Sequence, residues 1–193
     1  MRPTVYLEGG GDTASQQKAY RIGFAKMITN KASVIACGGN VRTHEKFIEH
    51  QPAKGETVLL LIDSELPVAE SDTALGHLRR TTQWSWPNWV AEDQIHLMAT
   101  TIETWISCDP EALAQYFGSA FNVSKLVVTV PIESAEKETV LAKLRAATEG
   151  GKNGGYTKSP KHVADLLERV EPTKIADMAS RFGRPFLVAI GVI

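Results

Sequence analysis

The chain is poor in cysteine: Cys37 and Cys108 are the only two among 193 residues. Two thiols make no disulfide framework, so a reducing compartment is the natural setting. Long apolar runs are missing as well. No stretch approaches the roughly 20 residues that cross a bilayer, which sets aside a membrane-spanning helix. Met1-Arg2-Pro3 leads straight into a strand-like segment without the apolar core of a secretion signal, so a cytoplasmic location is expected. Charge of one sign is lacking too, since 21 Lys and Arg against 22 Asp and Glu leave a net charge of −1. That balance argues against bulk nonspecific affinity for nucleic acid and leaves room for a local basic groove. What is present, 43% hydrophobic and 22% charged residues, suits one compact soluble domain.

The first half alternates apolar runs with amphipathic stretches. Residues 4–7 read as a short buried strand. Residues 14–29 read as a helix, with Ala19, Ile22, Gly23 and Met27 at helical spacing. Residues 33–36 form a second strand, closed by Cys37-Gly38-Gly39-Asn40, and residues 42–50 a helix with Phe47 and Ile48 turned inward. Residues 57–62 (TVLLLI) are apolar on both faces, as in a central parallel strand, and end in Asp63-Ser64-Glu65. This rhythm predicts an α/β fold: an open, mostly parallel, Rossmann-like sheet with helices on both faces. Residues 94–100 are expected to add a strand, leading into a helix at 102–107. Residues 110–117, 134–148, 160–170 and 173–182 read as helices, and 150–155 as a flexible glycine-rich loop. The expected organisation is a single domain, with an α/β core over 1–108 and a mainly helical extension over 109–193.

The stretch VYLEGGGDT (residues 5–13) raises the question of chemistry. Gly9-x-Gly11-x-x-Ala14 formally satisfies a dinucleotide fingerprint between strand and helix. That motif wants an acid about 20 residues on, yet no Asp or Glu occurs between Asp12 and Glu45. Glu8 and Asp12 would also set carboxylates beside a pyrophosphate, where a helix N-terminus should meet an anion. A second decoy, GGKNGGYTKS at residues 150–159, fails as a phosphate-binding P-loop because Thr157 precedes Lys158 and Lys152 takes a required glycine position.

A metal fits the acids better. Glu8 closes the first strand and Asp63 and Glu65 follow the third, and neighbouring strand ends of a parallel sheet converge. Hard oxygen ligands suit Mg²⁺ or Mn²⁺, and crowded carboxylates repel unless a cation joins them. Sharing one ion requires the Glu8 and Asp63 carboxylates to lie within roughly 5 Å. The bland alternative is that Asp12 and Asp63 merely cap helices.

EGGGD and then LLIDSE also resemble the metal motifs of the TOPRIM fold, in the variety found in overcoming-lysogenisation-defect (OLD) nucleases. An uncharacterised bacterial TOPRIM-like family has a similar arrangement of EGGGD, ACGG, LLIDSE, ETW and Y-x-K, over most of the chain. The resemblance implies Glu8, Asp12, Asp63, Glu65 and Glu103 as metal ligands, with Glu8, Asp63, Glu65 and Lys158 at the reaction. Glu65 stands where the family's second aspartate is usual, and Asp12 is shorter than the family's glutamate. The implied activity is metal-dependent phosphodiester hydrolysis, by one or two ions. It also implies a setting in bacterial defence or toxicity beside an ATPase, which would be a separate protein because the sequence has no Walker motif.

Lys152, Lys158 and Lys161, with no acid among them from 150 to 161, suit contact with a nucleic-acid backbone, or form a solvated linker. Trp84, Trp86 and Trp89 (WSWPNW) suit stacking of bases, a protein interface, or core packing under a loop. The histidines show no zinc spacing with either cysteine. These readings admit a DNA or RNA substrate, a separate ATPase and a homo-oligomer as partners, and no membrane. Two alternatives stand beside the nuclease: a non-catalytic protein-binding module and a metal-dependent phosphohydrolase of small molecules.

Overall fold

In a computed structural model, which describes residues 2–126 and 131–193, the apolar runs of the first half become four parallel strands. These are β1 (Thr4–Leu7), β2 (Ser33–Ala36), β3 (Val58–Asp63) and β4 (Ile95–Met98), in spatial order β2-β1-β3-β4. Leu7 pairs with Ala36 on one side and Leu61 on the other, and Asp63 pairs with Met98. β3 is buried along its whole length, which explains its unbroken run of apolar residues.

Alternation sorts the strand side chains to two cores. Val5, Leu7, Leu59 and Leu61 meet one face, with Tyr20 and Phe24 of α1 (Ala14–Met27). Tyr6, Val58, Leu60 and Ile62 meet the other, with Phe47 of α2 (Asn40–Glu49) and Leu75 and Leu78 of α3 (Ala74–Thr81). Helices therefore cover both faces, as a parallel sheet requires. The helical second half packs onto the same sheet. α4 (Ile102–Ser107), α5 (Pro110–Phe117), α6 (Lys137–Thr148), α7 (Pro160–Leu167), α8 (Pro172–Met178) and α9 (Gly183–Ala189) supply Trp105, Leu113, Leu144, Leu166, Ile175 and Phe186 to the first face. The chain moves from β1 outward to β2, then back across to β3. This reversal makes the crevice beyond β1 and β3 the place where such sheets take ligands.

Several elements depart from expectation. The buried stripe of α1 is Tyr20, Gly23, Phe24 and Met27, while Ile22 is 42% exposed, so the inward register differs from the one read in the sequence. The helix ends at Met27 because Thr29 and Asn30 take left-handed φ values of 50° and 56°. Helix α3 was not expected. The helix expected at 173–182 stops at Met178 as α8, and a further, unexpected helix, α9, starts at Gly183 after a corner around Arg181. There the Arg181 guanidinium donates to the carbonyls of Val68, Ala69, Glu70 and Asp72, and the buried Glu133 carboxylate accepts from the backbone of Arg181, Phe182 and Gly183. These bonds hold the corner where a continuous helix would have used its own carbonyls. The Gly150–Gly155 stretch, expected to be flexible, is tied down: Lys152 N donates to Phe117 O at 2.7 Å and Asn153 Nδ2 to Tyr116 O at 2.8 Å.

Gly23 sets how closely α1 and α7 approach. A Cβ there would lie 2.3 Å from the Ala164 carbonyl oxygen, inside any permitted contact. Gly23→Ala should therefore destabilise the protein by about 1–3 kcal/mol, as overpacked cores do, despite alanine's better helix propensity. Urea unfolding followed by circular dichroism measures it.

Candidate metal centre

The site begins where β1 stops. Glu8 N still donates to Leu61 O at 3.0 Å, so the ladder holds the residue whose carboxylate is needed. The chain then turns through Gly9, Gly10 and Gly11 at φ values of 118°, 91° and 70°, a region that side chains disfavour. Gly9 exchanges two backbone bonds with Gly38, of 2.7 and 2.9 Å, which join the loops after β1 and β2. A Cβ on Gly9 would also stand 2.6 Å from the ring end of Tyr20. Glycine is thus required there twice, for its φ and for the aromatic ring beside it.

Glu8, Asp63 and Glu65 each offer an oxygen, and these oxygens lie within 4.8 Å of one another. The separation meets the condition for sharing one ion. Each carboxylate has an oxygen held by a protein donor: Glu8 Oε2 accepts from Asp63 N at 3.0 Å, Asp63 Oδ2 contacts Thr101 Oγ1 at 3.1 Å, and Glu65 Oε2 pairs with Lys137. Asp63 Oδ1 is buried and has no partner. A buried acceptor without a donor is rare, and here it belongs to a carboxylate grouped with two other acids. The loop that carries Glu65 is itself strained. Glu65 has φ 62°, held by Glu65 N to Thr100 O at 3.0 Å, while the buried His77 Nε2 donates to Ser64 O at 3.0 Å.

Around this group stands a second layer. Glu103 is fully buried on α4, with Oε1 accepting from Tyr156 OH at 2.6 Å and lying 3.8 Å from Lys158 Nζ. Thr101 Oγ1 lies 2.5 Å from Glu103 Oε2 as well as touching Asp63. A hydroxyl has one hydrogen, so both contacts are hydrogen bonds only when one of the two carboxyls is protonated. The cavity holding all this has a volume of about 410 Å³ and is walled by Glu8, Asp63, Glu65, Glu103, Tyr20 and Lys158, among others.

The electrostatics follow from crowding. Burial, opposed by the Asp63 N–H and reinforced by Glu65, pushes Glu8 up to about 7. Burial first, then Glu8 and Glu103, hold Asp63 well above the usual carboxylate range. Burial works against the Lys137 charge, but Glu65, Asp63 and Glu8 outweigh it and raise its pKa.

Not every residue expected here joins the group. Asp12 is exposed at the cavity rim, outside the Glu8–Asp63–Glu65 cluster, and it does not cap α1. Thr13 does, accepting from Gln16 N at 3.3 Å. Glu103 is likewise outside the cluster, and its oxygens meet Tyr156 and Thr101 instead. Lys158 lines the cavity as expected. Lys152 and Lys161 do not; Lys161 instead pairs with Asp165 on the surface of α7 at 2.8 Å. The tryptophans pack inward against α2: Trp84 stacks on His44 at 4.5 Å and Trp89 meets Phe47 at 5.3 Å. Cys37 is fully buried in the second core, and among the described residues no histidine or cysteine belongs to the acidic group.

Tyr20, Thr101 and Lys137 escaped the sequence reading. Tyr20 had a usable signal, since it begins the i, i+3, i+4, i+7 stripe that continues through Gly23, Phe24 and Met27. Lys137 had none, because it meets Glu65 from 72 positions along the chain. No family model, no curated protein and no solved structure matches the chain. An α/β fold with a buried acidic pocket at its topological switch point is therefore the class that the geometry defines.

Two outcomes are expected. Glu65→Gly relieves a left-handed residue that costs about 1–2 kcal/mol and removes only a partly exposed ion pair, worth about 0–1 kcal/mol. Its melting temperature should be no lower than that of the wild type, measured by circular dichroism. The second concerns pH without added metal. Glu8 keeps its proton more tightly folded than unfolded, so the native state binds more protons between pH 4.5 and about 7. Stability then falls as pH rises through that window, and Glu8→Gln should flatten the dependence in a pH series of denaturation midpoints.

Proposed function

We propose that Glu8, Asp63 and Glu65 bind Mg²⁺ or Mn²⁺ and that the chain is a TOPRIM-like nuclease hydrolysing phosphodiester bonds. The observation that carries this reading is the partnerless Asp63 Oδ1, buried within reach of two more carboxylates in a cavity at the switch point. The donor set is all oxygen, which fits a hard divalent ion. Bound there, such an ion supplies Lewis acidity toward a phosphoryl oxygen and lowers the pKa of water.

The chain's own residues do the rest. Thr101 and the Asp63 N–H hold the Asp63 and Glu8 carboxylates in place, and Lys137 orients Glu65. Lys158, at the cavity wall, offsets negative charge on a bound phosphate. Asp12, at the rim, would act through water or help to hold a second ion, and Glu103, whose oxygens already meet Tyr156 and Thr101, would act through water. Nucleic acid as the polymer, a separate ATPase, a homo-oligomer and a role in bacterial defence are parts of the proposal that rest on the resemblance alone.

A second reading, hydrolysis of small phosphate esters, is favoured by one observation. Lys152 and Lys161, which a polymer would track, lie away from a cavity of about 410 Å³, which is the size of a small-molecule site.

The test is cleavage of plasmid DNA and of RNA by the purified chain with Mn²⁺, beside hydrolysis of p-nitrophenyl phosphate esters. Asp63→Ala should lower turnover at least about 100-fold, without lowering the melting temperature, because it removes a buried repulsion. Turnover of the small esters without cutting of polymer selects the second reading. A wild-type protein that binds no Mn²⁺ by calorimetry overturns both.

A further inference from the structure

Tyr20 is 2% exposed, yet its hydroxyl has no hydrogen-bond partner. The ring rises from the buried face of α1 and passes beneath Gly9, so that its end reaches the wall of the acidic cavity. No alanine-sized group fits between ring and loop, since a Cβ on Gly9 would meet the phenol carbon and oxygen at 2.6 Å. The loop is built around the ring, and the ring cannot swing that way to find another acceptor.

Tyr20 lines the same cavity as Asp63, whose Oδ1 is an orphan acceptor. They do not satisfy each other. Burying a hydroxyl without a partner costs about 1–3 kcal/mol by mutational measure, and two such groups in one small cavity need a guest that answers both. Asp63 Oδ1 wants a cation. Tyr20 wants an oxygen that accepts. Burial and the charges of Asp63, Glu103 and Glu8 all raise the Tyr20 pKa, so the phenol keeps its proton and acts as a donor. Ile102, Pro160 and Val163 add apolar side chains to the wall, and beside such groups a hydrogen bond to an anion is strengthened.

We propose that the Tyr20 hydroxyl contacts the substrate, donating to a non-bridging oxygen of the phosphate whose charge is also met by the divalent ion and Lys158. This rests on the metal reading of the site and adds to it the group that fixes the phosphate's orientation. No bond is made or broken at Tyr20, which donates a hydrogen bond and retains its proton.

Tyr20→Phe tests the assignment with inorganic phosphate as the probe. Mn²⁺ is titrated into wild type and variant by calorimetry, and phosphate is then titrated into each Mn²⁺-loaded protein. The expected result is an Mn²⁺ dissociation constant unchanged within about twofold and a phosphate constant raised at least about tenfold, the usual scale for a hydrogen bond to a charged group. The melting temperature without ligands should stay level or rise, because an unsatisfied hydroxyl has been removed. Broadening of the phosphate ³¹P resonance by protein-bound Mn²⁺ should weaken in parallel.

Equal phosphate affinity in the two proteins overturns the proposal while leaving the metal site standing, as does a wild type that takes Mn²⁺ but no phosphate. A fall in both melting temperature and Mn²⁺ affinity in the variant assigns Tyr20 a purely structural role and also overturns it. Wild type that takes no Mn²⁺ removes the metal reading beneath it.

Discussion

Bringing Glu8 and Asp63 together sets two acids against each other, and burial with repulsion among the crowded carboxylates raises the pKa of both. Of two parallel strands in register, β1 leads straight into Glu8 and β3 closes on Asp63, at the point where the chain reverses direction across the sheet. Desolvation and mutual repulsion oppose the arrangement, and much of the surrounding structure answers that opposition. A backbone N–H from Asp63 meets Glu8, Thr101 meets Asp63, Lys137 meets Glu65 and Tyr156 meets Glu103. What those donors leave unanswered is a single buried oxygen on Asp63.

The rest of the architecture supports that crevice. α7 lies against α1 because Gly23 permits it, and the residues just before and within α7 (Lys158, Pro160 and Val163) close one side of the cavity. α4 contributes Glu103 and, on its other turns, Trp105, which joins Phe24 and Phe186 in an aromatic cluster beneath the sheet. Packing of the second half onto the first face is therefore also what brings Tyr156 and Lys158 to the acids. The Arg181 corner pins the segment after Asp63-Ser64-Glu65 to the last helices, so the strand-end loop is held from both directions.

How much of this the sequence could tell depends on the range of each interaction. The strands were legible because burial on both faces writes itself as an unbroken apolar run, as in VLLLID. The Glu8–Asp63–Glu65 group was legible for the same reason, because strand ends in a parallel sheet converge without knowledge of side chains. Asp12 misled because its neighbour Thr13 completes a capping box with Gln16 and leaves the acid outside. Glu103, expected as a metal ligand, lines the cavity but stands outside the Glu8–Asp63–Glu65 group, with its oxygens taken by Tyr156 and Thr101. Lys137 and the Arg181 corner were illegible, since each joins residues far apart in the chain and neither leaves a period or motif. The lysines at 152 and 161 were grouped by their closeness in sequence, whereas a turn and the start of α7 send them elsewhere.

The pairing of Lys137 with Glu65 gives the pocket a built-in counterion. That counterion arrives from the first turn of α6, 72 positions further along the chain. Charge balance at the strand ends is thereby tied to the docking of the second half: until α6 is seated, three crowded carboxylates stand without their ammonium partner. Tertiary assembly and neutralisation of the acids are one event, so whatever loosens α6 also unbalances the charge of the acidic group.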